Sequence, residues 1–106
     1  MKSITSNSDF KRAYFRGVRR SSKNLTLYLR RVFSKDLCFG ITASKKVGCA
    51  VERNRARRLI REALLGLNLR IRGYHVVVVA RRSILELKMY DVQNEIRYLL
   101  RCLNVR

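Results

Sequence analysis

The sequence predicts one two-layer α/β domain over residues 1–106. Three observations lead there. Helix-period and strand-period apolar patterns alternate along the chain, giving the order α, two or three β, α, β, α. One segment, YHVVVVA at 74–80, is a continuous β-branched run, as expected of a central strand buried on both faces. The length suits a single core, since a chain of this size buries roughly two-thirds of the surface its unfolded form exposes. A hydrophobic fraction of 47% is too high for a disordered chain.

The elements follow in order. Residues 6–16 read as a short helix: Ser6 and Asp9 have capping-box spacing, Phe10, Ala13 and Tyr14 share a face, and Gly17 suits the C-terminal cap. Residues 18–23 carry a weak edge-strand signal. Residues 24–33 read as a strand, with Leu25, Leu27 and Leu29 on one face and Tyr28 on the other. LCFGITAS at 37–44 reads as the next strand. Residues 53–66 form the strongest helix, with Ala56, Leu59, Ile60, Ala63, Leu64 and Leu67 as its apolar stripe. A last helix spans about 88–104, with Val92, Ile96, Leu99, Leu100 and Leu103 facing inward. The strands on either side of the 53–66 helix are candidates for a crossover pair.

Charge points to the partner. Lys and Arg number 25 against 7 Asp and Glu, a formal net charge of +18. That much charge on one small domain repels itself, and a polyanion relieves the repulsion. Arginine dominates, and its planar fork suits phosphate oxygens and base stacking, which favours RNA. The N-terminus lacks the apolar stretch of a signal peptide, and the longest aliphatic run, Val76 to Ala80, is far too short to span a bilayer. The expected location is the cytoplasm. Cys38, Cys49 and Cys102 fit no zinc spacing and read as buried or half-buried reduced thiols. His75 reads as a satisfied structural histidine. No acid pair or nucleophile–base pair suggests a protein-borne hydrolase site, so no catalytic and no metal-ligating residue is expected.

The segment Ser44 to Leu65, SKKVGCAVERNRARRLIREALL, carries the chemistry. On a helical wheel Asn54, Arg58 and Arg61 lie opposite the apolar stripe, Arg55 and Arg57 flank them, and Arg53 sits near the helix start. Lys45 and Lys46 extend the patch from the preceding strand end. A phosphate at the helix start would meet free backbone N–H groups as well as arginines, with Asn54 placed to cap locally. The bland alternative is a solvated face of i,i+4 ion pairs, but only Glu52 and Glu62 are at hand to pair.

Ser44-Lys45-Lys46-Val47-Gly48, Ala50-Val51, Arg53-Asn54-Arg55, Arg57-Arg58 and Arg61-Glu62 resemble the core motif of the bacterial ribonuclease P protein family. Weaker likenesses run from Ser8-Asp9-Phe10 to Gly17, through Leu25 to Leu29, and from Val76 to Arg81, so the resemblance covers nearly the whole chain in order. It implies a fold, α-β-β-β-α-β-α of the ribosomal protein S5 domain 2-like kind, with a left-handed βαβ crossover. It implies that Lys45, Lys46, Arg53, Asn54, Arg55, Arg57, Arg58 and Arg61 contact a catalytic RNA. It implies a cleft between the first helix and the sheet, lined by Phe10, Tyr14 and Tyr28, for the single-stranded 5′ leader of precursor tRNA. Phe10 suits core packing as well as the cleft. Because Phe15 follows Tyr14, the register of the first helix is open by one residue.

The activity so implied is assistance to an RNA endonuclease that frees the mature tRNA 5′ end, one protein per catalytic RNA. The RNA carries the chemistry, Mg2+ enters only with the RNA, and the protein alone binds no cofactor. The competing readings are another small basic RNA-binding protein of the ribosomal kind, a DNA-binding module and a membrane-active cationic helix. The spacing from Ser44 to Glu62 argues against the first. A basic helix between strands, rather than after a helical turn, argues against the second. Buried strands argue against the third, and no membrane partner is expected.

Overall fold

The computed structural model describes residues 2–103. In chain order it holds strand β1 (Lys2–Ser3), helix α1 (Asn7–Arg16), β2 (Val18–Ser21), β3 (Leu25–Arg31), β4 (Leu37–Thr42), α2 (Ala50–Leu67), β5 (Tyr74–Ala80), a 3-10 turn (Arg82–Glu86) and α3 (Met89–Cys102). The five strands make one sheet in the order β1-β4-β5-β3-β2. The valine run does become the central strand: β5 pairs parallel with β4 and antiparallel with β3, and Val76, Val77 and Val78 are wholly buried. β4 and β5 are the expected crossover pair, with α2 between them. The weak edge signal is real, as β2 pairs antiparallel with β3.

Alternation along β3 sorts its side chains between two very different faces. Leu25, Leu27 and Leu29 enter the main core with Phe39, Val76, Val78, the inner stripe of α2 (Ala56, Ile60, Ala63, Leu64) and that of α3 (Val92, Ile96, Leu99, Leu100). Sheet and α2–α3 pair are the two principal layers. Gln93 is buried between the helices, and its amide donates to the Ala63 carbonyl at 3.2 Å, so its polar group is satisfied. On the opposite face α1 covers only part of the sheet. Its small core is Ile4, Ala13 and Val77, with Phe10, Tyr28, Cys38 and Val79 half-buried around it.

Several local expectations are corrected. α2 begins at Ala50 rather than 53, because the Glu52 carboxylate turns back to accept the Cys49 N–H at 3.0 Å and caps the helix there. Asn54 is therefore inside the helix and is no cap. β1 carried no sequence signal, since two residues are too few to display a period. Ser6 caps α1 by accepting the Ser8 N–H, but Asp9 does not complete a capping box; it turns to Arg30 at 3.5 Å and Arg12 at 3.9 Å. Gly17 does follow α1, in an extended conformation rather than a left-handed one, and a Cβ there would collide with the carbonyls of Ala13 and Leu29. Cys49 is exposed rather than buried, although all three cysteines are free. His75 is half-buried with its Nδ1 unpartnered, so it is not the satisfied histidine expected. Residue 104 of the expected last helix lies outside the described residues.

Candidate nucleic-acid interface

The outer face of α2 separates its arginines into two groups. Asn54, Arg55, Arg58 and Arg61 are exposed, and among the described residues these arginines have no carboxylate within 4.0 Å. They form an unneutralised cationic surface. Arg57 is folded back: it donates to Asn54 Oδ1 at 3.1 Å and to the Ala43 carbonyl at 3.2 Å, tying the helix to the end of β4. Arg53 is half-buried, with its Nε out of solvent and without a hydrogen-bond partner. The wheel placed all of these correctly around the helix axis, but it could not show which guanidiniums the neighbouring strand would engage.

The turn from β4 to α2 presents Lys45 and Lys46, both exposed, and is held from within. Val47 is fully buried, and its carbonyl accepts from Arg82 at 2.8 Å. Arg82 also meets Glu52 at 3.5 Å. Gly48 adopts φ 148, and a Cβ there would run into the Glu52 carboxylate. The Cys49 backbone N–H, then its thiol, and last the Arg82 guanidinium hold the Glu52 carboxyl below the usual carboxylate range. A carboxylate therefore already stands at the start of α2, where a phosphate was expected to meet free backbone donors.

The aromatic residues of the expected cleft come together. Tyr14 and Tyr28 pack edge to face at 4.9 Å between ring centres, and Phe10 lies 6.5 Å from Tyr14. The Tyr14 hydroxyl shares a 3.1 Å hydrogen bond with Thr42, spanning from α1 to β4. The helix register is thereby decided: Tyr14 faces the sheet, and Phe15 stands in solvent at 87% exposure. Phe10 combines both expected roles. Its ring rests over Gly40, where a Cβ would come within 2.5 Å, and it also lines a cavity of about 160 Å³ with Arg57 and Arg61. The arginine face and the aromatic face thus meet beside β1 and β4.

Beyond Tyr28 the uncovered face of the sheet opens into a groove of about 690 Å³. Thr26, Tyr28 and Val79 are among its lining, together with Arg19, Lys46, Arg81 and Arg82. Arg19, Arg81 and Arg82 were not among the expected site residues. Only the run of arginines after the valine strand hinted at two of them; Arg19 reaches the groove because β2 folds beside β3. Among the described residues, no group of three or more His, Cys, Asp or Glu side chains is placed to hold a metal ion. Among the described residues, no helix is long and apolar enough to cross a membrane. Burial pushes the Cys38 thiol above its ordinary range, so it stays protonated beneath α1.

Comparison with known proteins agrees with this geometry. The family model for ribonuclease P matches residues 1–104. The ribonuclease P protein component of Clostridioides difficile is 37% identical over 102 residues, covering 94% of this chain and 90% of the relative. That of Clostridium botulinum is 35% identical over 101 residues, covering 92% and 90%. Among solved structures, the Staphylococcus aureus RNase P protein superposes with a TM-score of 0.85 at 28% identity, covering 99% of this chain and 97% of that one. The Thermotoga maritima RNase P protein shares the fold with a TM-score of 0.78 at 21% identity, covering 94% and 96%. A match that runs through every described element, rather than through the arginine segment alone, means that the chain belongs to the ribonuclease P protein family.

Proposed function

We propose that this chain is the protein subunit of a ribonucleoprotein endonuclease that removes the 5′ leader from precursor tRNA. Family membership supports its partnership with ribonuclease P RNA and its part in tRNA processing. In the finer reading, Arg55, Arg58 and Arg61 on α2, with Lys45 and Lys46, hold the catalytic RNA through its phosphates. Arg53, Asn54 and Arg57 belong to the same segment, with Arg57 holding the Asn54 side chain. Tyr14 and Tyr28, with Phe10 as a side wall, receive unpaired leader bases by stacking, which tolerates variable sequence. Arg19, Arg81 and Arg82 line the track that continues from them.

The observation that carries this reading is the continuity of the aromatic floor with the basic groove on the one sheet face that α1 leaves open. The chain's own residues bind and orient; cleavage is the work of the RNA. In this reading Mg2+ enters with that RNA. The complex is taken as one protein per RNA, acting in the cytoplasm.

The test is cleavage of a 5′-leader precursor tRNA by bacterial ribonuclease P RNA at low magnesium, with and without the protein. Restored cleavage at the mature 5′ end, and none by the protein alone, is the expected result. Binding of the RNA with no change in cleavage would instead mark a general RNA-binding protein of the ribosomal kind.

A further inference from the structure

The end of the sheet where β3 finishes and β4 and β5 begin carries a second basic and aromatic patch, away from the groove. Loops 32–36 and 68–73 meet there. The Val32 N–H donates to the Gly73 carbonyl at 2.8 Å, and the Gly73 N–H donates to the Asp36 carbonyl at 3.1 Å. The Asp36 N–H donates to Ser34 Oγ at 2.9 Å, and Lys2 holds the Asp36 carboxylate at 2.7 Å. Gly73, at φ 75, lets the second loop pass close under the first. On this tied turn Phe33 stands wholly in solvent, at 111% of its reference exposure. Lys35, Arg70 and Arg72 are exposed on the same two loops, and Arg31 is exposed at the end of β3 beside them. Among the described residues none of these cations has a carboxylate within 4.0 Å, since Asp36 is taken by Lys2.

A single exposed apolar side chain is ordinary by itself. Phe33 differs because the turn beneath it is pinned, so the ring is presented with little further ordering cost. It differs also because unpaired cations flank it. A protein partner would need a broader apolar surface than one ring. A nucleotide needs only a ring for its base and cations for its phosphates. We infer that Phe33, with Arg31, Lys35, Arg70 and Arg72, is a second RNA-contact point that takes an unpaired base of the folded RNA partner. β5 separates it from Arg81 by seven residues, or roughly 20 Å of strand. The inference rests on the RNA-bound state proposed above.

The experiment measures affinity for bacterial ribonuclease P RNA across a salt series. Phe33→Ala should weaken binding about fivefold or more, with melting unchanged because the ring touches no core. Phe33→Trp should restore it. Arg31→Ala and Arg72→Ala should each lower the slope of log affinity against log salt by about one. A photocrosslinker at position 33 should label the RNA. Unchanged affinity in Phe33→Ala would overturn the inference, as would a crosslink to a second copy of the chain instead of RNA. Arg58→Ala is measured in parallel. A loss there alone removes only this second contact, whereas a wild-type chain that does not bind the RNA removes the RNA partner altogether.

Discussion

The two faces of the sheet are built for different ends. One is closed by α2 and α3, which seal the leucines of β3 and the valines of β5 in a continuous apolar core. The other is covered only in part by the ten residues of α1, and its small core around Ile4, Ala13 and Val77 gives way to the half-open rings of Tyr14 and Tyr28 and then to the groove. A five-stranded sheet is wider than one short helix. The uncovered remainder is the binding surface proposed above. Stability is drawn mainly from one side, and this leaves the other free to keep aromatic rings and guanidiniums accessible.

Adjacent residues of β3 put that contrast to the test, because Leu27 and Tyr28 point to opposite faces. Leu27 is fully buried in the main core, so Leu27→Ala should cost about 2–5 kcal/mol of folding stability by denaturant unfolding. Tyr28→Ala should leave most of that stability intact and cost about 1–3 kcal/mol in binding precursor tRNA, with little effect on mature tRNA. Equal losses of stability in the two variants would erase the distinction between the faces, and equal binding losses for the two tRNAs would remove the leader from the cleft.

A smaller effect is expected from the α2 surface. Arg58→Ala, far from both cores, should weaken RNA binding about fivefold near physiological salt and reduce the salt slope by about one, with folding unchanged. Unchanged affinity would remove the arginine face from the interface. The smallest expected effect lies at the seam between β4 and α2. The Glu52 carboxyl is held below its ordinary 4.5 by the Cys49 N–H, so it contributes stability above that pH and loses it as pH falls through the lower folded value. Melting of Glu52→Gln should therefore fall below wild type at neutral pH, with the gap closing in acid. A gap that persists at the acid end would mean that the side chain acts through packing instead.

Much of this architecture was legible in the chain. The valine run identified the central strand, because only a strand covered on both faces can bury consecutive β-branched residues. The leucine alternation placed Tyr28 opposite the core. The arginine segment showed its exposed face, because a helix of that length displays its period several times over. The misses were short or non-local. β1 has too few residues to show a period. The start of α2 shifted because a carboxylate three residues into the helix, rather than an N-cap hydroxyl, closed its first turn.

The sequence by itself determined what is local and repeated: the helical and strand segments, the sorting of side chains between faces, the cationic surplus and the family motif. Tertiary structure alone decided what depends on residues distant in the chain. It turned Tyr14 rather than Phe15 toward the sheet, drew Arg57 onto the Ala43 carbonyl, and brought Arg19 and Arg81 to the same groove. The physical reason is that periodicity reports the direction of a side chain about its own axis, whereas the contacts it makes depend on which element packs beside it.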